Sequence, residues 1–390
     1  MTRKKPGLNT ICTHVGELKD EQFKGAVSPL YMSTSYAFED VETKRYPRYF
    51  NTPNQKALAQ KMAALEHGEA ALIFGSGMAA VSTSLLAFLK QGDHVVLQKT
   101  LYGGTSNLVT EEFEKFGIAF SFTQNLSIEA FEKEIRENTK VIYIETPSNP
   151  LLTITDLEAI ANLCRKKGLV SMIDNTFASP VNQTPLDFGI DVTIHSATKY
   201  MGGHSDILAG TVIASEEKIN KIFQLAKNLG GSLSDYTVWL LERSIKTMGI
   251  RVRAQSENAQ KLAEFLEQHE LVKTVYYPGL SSHKDHELAK KQMKGFGGML
   301  SFELKELDAS TFMKNLKLIK PSMSLAGVES TILSPTKTSH ALLSPEERQE
   351  QGISDNLMRF SVGIEETEDL IADIEQALEE TRKDMLDIRL

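Results

Sequence analysis

The chain has 390 residues, 41% of them apolar and 24% charged, long enough for two or more domains and for a core that needs no disulfide staples. Its 43 basic and 51 acidic side chains leave a net charge of −8, which argues against a protein built to neutralise nucleic-acid phosphates. Two cysteines, Cys12 and Cys164, exclude a disulfide scaffold and a Cys-rich zinc site.

The opening MTRKKPGLNTICTH is basic but lacks the apolar segment of a secretory signal. No apolar run nears the ~18 residues that cross a bilayer. A cytoplasmic protein with no membrane and no nucleic-acid partner is expected, and no metal. Residues 1–55 show no sustained period and carry Tyr31, Tyr36, Phe38, Tyr46, Tyr49 and Phe50 among turn formers. They read as an extended arm that packs on another body, such as a second subunit.

From residue 56 the pattern alternates. Gln55–Glu66 reads as a helix stopped by Gly68, Ala70–Phe74 as a strand and Gly77–Leu89 as a helix. A strand His94–Gln98, a helix Thr105–Phe116, a strand Ala119–Phe122 and a helix Ser127–Arg136 follow. Then come the strand Val141–Glu145, the helix Asp156–Lys167, and strands Leu169–Asp174, Asp191–His195 and Ala209–Ala214. Strands alternating with helices predict a mostly parallel, mixed sheet flanked by helices. Val141–Ile144 is apolar on both faces, as a doubly covered sheet requires. Residues 216–270 read as helical. Beyond them strands near Val272–Tyr277, Gly298–Leu304 and Leu357–Val362, and a final helix around Glu366–Leu386, predict a smaller α+β domain. The expected division is an arm 1–55, an α/β domain 56–248 and a C-terminal domain 249–390.

Ligands of open parallel sheets bind beyond the carboxyl ends of the strands. Those ends are followed here by Gly75-Ser76-Gly77-Met78-Ala79-Ala80, by Glu145-Thr146-Pro147-Ser148-Asn149-Pro150, by Asp174-Asn175-Thr176-Phe177 and by Ser196-Ala197-Thr198-Lys199. The first segment fits a dinucleotide fingerprint, and equally a phosphate held by backbone N–H groups at a helix N-terminus. The acidic residue that a ribose needs is missing after the next strand, which favours a phosphate-bearing cofactor other than NAD. Lys199 follows a buried strand and lies between hydroxyls and Gly202-Gly203. Lysine forms Schiff bases and, with a lowered pKa, carries protons near neutrality. Asp174 ends another strand and suits a pyridinium nitrogen. A lysine with such a carboxylate is the pair that pyridoxal phosphate needs.

With these segments in place, the chain resembles the pyridoxal-phosphate-dependent Cys/Met metabolism family, which includes cystathionine γ-synthase, cystathionine β- and γ-lyases and methionine γ-lyase. The resemblance runs from about residue 10 to 380 and also covers Tyr102-Gly103-Gly104-Thr105, Ser324–Ser330 (departing at Ala326) and Arg359–Glu365. It implies the fold type I of PLP-dependent transferases, pyridoxal 5′-phosphate as cofactor, and an amino acid as substrate. By that resemblance Lys199 carries the cofactor and then shuttles a proton, Asp174 faces the ring nitrogen, and Tyr102 stacks on the ring. The Gly77 and Met78 amides, Ser196 and Thr198 are similar to phosphate ligands. Asn149 and Thr176 are similar to further cofactor contacts. Ser324 and Arg359 resemble the holders of the substrate α-carboxylate. Tyr46 and Arg48 match an arm that reaches the neighbouring subunit's phosphate, which implies a dimer with shared sites, assembled into a tetramer. Asn51-Thr52-Pro53-Asn54 departs from the family's Asn-Pro-Thr.

Substrate choice is carried by two positions. Met323, before the motif serine, stands where cystathionine-reading members often carry Glu, and so favours a shorter or less polar γ-substituent, or a β-elimination. Gly104 stands where methionine γ-lyases often carry Cys. The expected activity is a carbon–sulfur lyase of the transsulfuration type, acting on cystathionine, methionine or cysteine. The alternative is a γ-replacement enzyme, a synthase or sulfhydrylase. An NAD-dependent dehydrogenase is the rival of a different class.

Overall fold

The computed structural model describes residues 6–338, 346, 348 and 352–387. Seven strands make the larger sheet: β1 (Ala70–Phe74), β2 (His94–Leu97), β3 (Ala119–Phe122), β4 (Thr139–Glu145), β5 (Val170–Asp174), β6 (Val192–His195) and β7 (Gly210–Ala214). Their spatial order is β1-β7-β6-β5-β4-β2-β3. Strands β2 to β6 pair in parallel, while β7 runs antiparallel to both β6 and β1. Val141, Ile142, Tyr143 and Ile144 of β4 are all fully buried. Val141 and Tyr143 pack under Leu85, Ile219 and Ile222 of the helices Gly77–Phe88 and Glu216–Leu229. Ile142 and Ile144 pack under Leu157 and Ile160 of the helix Leu157–Lys167. This two-sided burial is why the strand reads as an unbroken apolar run.

Local chemistry sets the helix ends. Asp156 accepts the Ala159 N–H at 3.0 Å and starts one helix. Thr52 and Gln55 form a reciprocal capping box ahead of the helix Pro53–Leu65, whose first residue is the proline. The predicted helix Thr105–Phe116 is instead a short α-helix Gly103–Asn107, a π-turn Leu108–Glu112 and a 3₁₀ turn Glu114–Phe116. Thr105, Val109 and Thr110 are β-branched, and the Thr110 hydroxyl bonds back to the Ser106 carbonyl, both of which work against a regular helix.

The smaller sheet contains β8 (Val272–Tyr276), β9 (Met299–Leu304), β10 (Lys320–Pro321), β11 (Thr331–Leu333) and β12 (Leu357–Ser361), in the order β10-β11-β12-β9-β8. Leu370, Ile374 and Leu378 of the final helix Thr367–Asp387 pack in one cluster with Phe302 and Phe360. The helix Met248–Gln268 serves both bodies: Met248 and Val252 lie in the first core, Leu262 and Leu266 in the second. Gln292 also joins them, its amide donating to the Thr155 carbonyl (3.1 Å) and to Gln183 Oε1 (3.2 Å).

The arm is not extended throughout. Leu8–His14 is a helix whose Ile11 and Cys12 are buried in the first core. Beyond it Phe23, Met32 and Phe38 are exposed at 79%, 71% and 68%. Among the described residues no helix is long and apolar enough to cross a membrane.

Candidate active site

The parallel strands finish at one edge of the sheet. Glu145 ends β4 and Asp174 ends β5, and the two are register partners. Both lie on the sheet face that carries Tyr143 and Met172, because side chains alternate along a strand. Burial holds the Asp174 carboxyl above its ordinary value, while the Thr176 hydroxyl and N–H (3.0 Å), His195 and Lys199 pull it down. Burial, and Asp174 itself, push Glu145 up to about 8.

Lys199 lies four residues beyond β6. Its Nζ donates to Ser324 Oγ at 3.0 Å across 125 residues of sequence. Burial, then the nearby Arg359 charge, lower its pKa to about 8, against an opposing pull from Asp174. Arg359, in the middle of β12, is buried. Its Nη1 donates to Asn149 Oδ1 (3.1 Å) and its Nη2 to the Ser324 carbonyl (3.0 Å). Among the described residues its Nε–H has no partner. Burial lowers its pKa to about 10, which leaves it charged near neutrality. Ser324 adopts φ 85°, a left-handed conformation that presents its hydroxyl to Lys199 and its carbonyl to Arg359.

At the opposite side, Ser76 caps the helix Gly77–Phe88 by accepting the Ala79 N–H at 3.0 Å. A Cβ on Gly77 would stand 2.8 Å from Ser196 Cβ, so only glycine lets the two loops meet here. Thr176 Oγ1 accepts the Ser196 N–H at 2.8 Å, tying the Asp174 loop to the Lys199 loop. Thr198 is less free than expected of a phosphate ligand: its hydroxyl donates to the Ala209 carbonyl (3.1 Å) and accepts the Ala209 N–H (3.0 Å). Met78 occupies the first turn of the same helix. Tyr102, 47% exposed, precedes the helix Gly103–Asn107, and its N–H is held by Glu145.

Lys199, Ser324, Arg359 and Asn149 are thus brought together, with Asp174, Thr176 and Ser196 joined beside them. Tyr46 and Arg48 are engaged with other residues. The Arg48 guanidinium lies over the Tyr46 and Tyr49 rings (5.7 and 5.2 Å) and donates to the Lys227 carbonyl. Met323 is 71% exposed at the rim. Glu145 and Glu66, two buried acids bonded to residues of these strand-end loops, carry no assigned role in the sequence-based expectation. Glu145 lay within a quoted segment, and its signal is an acid ending a largely buried strand, as at Asp174. Glu66 bonds His195 and Asn175 beneath the sheet edge, and nothing in its own sequence neighbourhood announces it.

The profile of the Cys/Met metabolism PLP-dependent enzymes matches residues 9–379. The chain belongs to that family. It is 46% identical over 375 residues to a cystathionine γ-lyase of Bacillus subtilis, covering 95% of this chain and 98% of the relative. It is 42% identical over 395 residues to an L-methionine γ-lyase of Fusobacterium nucleatum, covering 97% and 100%. The crystal structure of a cystathionine γ-lyase from Lactobacillus plantarum complexed with L-serine superposes with a TM-score of 0.93 at 38% identity, covering 97% of this chain and all of that one. Membership removes the dehydrogenase reading, and the topology agrees. β1 is an edge strand against the reversed β7, and β2 lies far across the sheet, whereas a dinucleotide fingerprint needs its next strand nearby in a parallel unit.

Proposed function

We propose that the protein is a carbon–sulfur lyase that eliminates from a sulfur amino acid such as cystathionine, methionine or cysteine. The carrying observation is the Lys199 amine bonded to Ser324, which shares the Arg359 guanidinium with Asn149. A lysine amine beside a guanidinium suited to bidentate carboxylate binding supports that reading. The names of the relatives support the lyase reading.

The residues present fit pyridoxal phosphate. Gly77 leaves space at a helix N-terminus, the Arg359 Nε–H is unspent among the described residues, and Asp174 ends the strand beside β6, which leads into the Lys199 loop. When bound, the cofactor supplies an aldehyde carbon and an electron-withdrawing ring. The Gly77 and Met78 N–H groups and the Ser196 hydroxyl would hold its phosphate, favoured by the helix dipole. Asp174 would keep a positive charge on the ring nitrogen, with Thr176 fixing its carboxylate. Tyr102 would cover the ring, and Asn149 would stand at its edge. Arg359 holds the substrate α-carboxylate and so orients the Cα–H bond. Lys199, lowered to about 8, takes that proton and returns one to the leaving side.

A dimer with shared sites is part of the same reading. The exposed apolar arm supports it, as does an Arg48 guanidinium that bonds the Lys227 carbonyl and not the Lys199 cluster. Mixed Arg48→Ala and Lys199→Ala subunits should regain activity through hybrid sites, and no recovery despite subunit exchange would refute it. For the reaction, the test is a panel of cystathionine, cysteine, methionine, homocysteine and acylated homoserines, scored for keto acid, thiol and ammonia. Elimination products support the lyase. Thioether formation from acylated homoserine and a thiol, without keto acid, would replace it with a γ-replacement enzyme. Met323→Glu should reorder the panel towards substrates with a distal ammonium by about fivefold or less, the range of an exposed ion pair.

A further inference from the structure

Glu145 is buried at the end of β4, next to another carboxylate, which is a costly place for an acid. Both its oxygens are used. Oε2 accepts the Tyr102 N–H at 2.7 Å, and Oε1 accepts the Asn149 N–H at 3.2 Å. These donors lie on different loops, one after β2 and one after β4. From Asn149 the bonds continue to Arg359 (3.1 Å), from Arg359 to the Ser324 carbonyl (3.0 Å), and from the Ser324 hydroxyl to Lys199 (3.0 Å). An unbroken arc therefore runs from the Tyr102 backbone to the Lys199 amine, and Glu145 joins its two halves. Gln98 braces the same junction, its amide donating to the Thr100 and Glu145 carbonyls.

We propose that Glu145 is a positioning residue whose two oxygens hold Tyr102 and the Asn149–Arg359 clamp in one register, so that cofactor contact and substrate-carboxylate contact are coupled. This rests on the reading of the Lys199 site as the pyridoxal-phosphate site. A glutamine at 145 has one acceptor oxygen for two N–H donors, and its NH2 would face one of them. The register then slackens although volume and shape are kept. A purely structural acid predicts the opposite pattern, in which stability falls while affinities stay.

The test is Glu145→Gln in the holoenzyme and apoenzyme, alone and combined with Arg359→Lys. Equilibrium dialysis of the apoenzyme above pH 8, where the Glu145 carboxylate is ionised, should give a pyridoxal phosphate Kd raised roughly 10- to 100-fold, the range for a lost hydrogen bond to a charged group. KM should rise for every amino acid turned over, with kcat less affected. In the Arg359→Lys background the KM effect of Glu145→Gln should shrink by more than about threefold, beyond the scatter of independent sites, while the effect on cofactor Kd persists. If Glu145→Gln does not fold, Glu145→Asp, which keeps the charge but shortens the reach, is put through the same cycle. Equal KM effects in both backgrounds overturn the coupling, as do unchanged Kd and KM beside a lowered Tm. A wild-type protein that takes up no pyridoxal phosphate overturns the functional reading and this inference with it. Normal wild-type uptake and turnover with an additive cycle overturns this inference alone.

Discussion

Lys61 and Lys199 are both lysines withdrawn from water, in regions organised for different ends. Lys61 sits on the helix Pro53–Leu65, fully buried, with its Nζ donating to the Cys12 carbonyl at 2.8 Å. Burial lowers its pKa, but Glu242 and Glu17 favour its charge. The amine is spent on the N-terminal helix, which it holds against the first core. Lys199 is only half buried and meets a neutral hydroxyl. Its second strongest influence is a cation, Arg359, which disfavours the charged form. Burial therefore does not make a lysine reactive. An amine held beside a cation, facing a hydroxyl rather than a carbonyl, is one that can give up its proton.

The largest test of that contrast is Lys199→Ala. Turnover should fall by roughly 100- to 10,000-fold or more, the range for a lost proton carrier, with circular dichroism unchanged. Borohydride-trapped cofactor found by peptide mapping on Lys61 would invert the comparison. Arg359→Ala comes next. It should cost about 2–4 kcal/mol in kcat/KM, or ~30- to 1,000-fold, and nearly equally for every amino acid in the panel, since all share the α-carboxylate. A reordered panel would mean that Arg359 reads side chains.

Lys61→Met sharpens the other side. It leaves the Cys12 carbonyl without its donor and should lower unfolding stability by about 1–3 kcal/mol, with kcat and KM unchanged. Lost activity at full stability would erase the distinction between the two sites.

The smallest effect is in the apoenzyme's response to pH. Glu145 is raised from 4.5 to about 8, so between those values the folded form holds a proton that the unfolded chain has lost. Its contribution to stability therefore falls as pH rises through that window. Lys199 is lowered from 10.5 to about 8, so its contribution rises between about 8 and 10.5. Together they predict a shallow dip near pH 8 in apoenzyme Tm. Glu145→Gln should flatten the acid limb, and an unaltered limb would show that Glu145 titrates in its ordinary range.

Much of the larger sheet was readable because its signals are local. Apolar runs, their alternation with helical stretches, and the residues following each strand need no knowledge of distant partners. The same holds for Asp174, which ends a buried strand, and for Lys199, which follows one. What stayed hidden depends on long-range register. Nothing in Gly210–Ala214 says that β7 runs backwards or that it separates β1 from β6. The Lys199–Ser324 bond joins positions far apart in sequence. Glu145 carries the same strand-end signal as Asp174, but its role stayed hidden because its partners are backbone N–H groups, which every residue type carries and no sequence pattern marks. The helix Leu8–His14 was hidden within a segment too short and mixed to show a period.

Because β7 runs against its neighbours, its first residue, not its last, lies where β1 and β6 end. Phe74 of β1 stands opposite Gly210, and His195 of β6 opposite Thr211. A Cβ on Gly210 would come within 2.1 Å of the Ser76 carbonyl oxygen. The loop after β1 therefore lies over a threshold one hydrogen atom high. The mouth of the site takes its gauge from a residue that contributes no side chain to it, and a single methyl group there would jack the frame open.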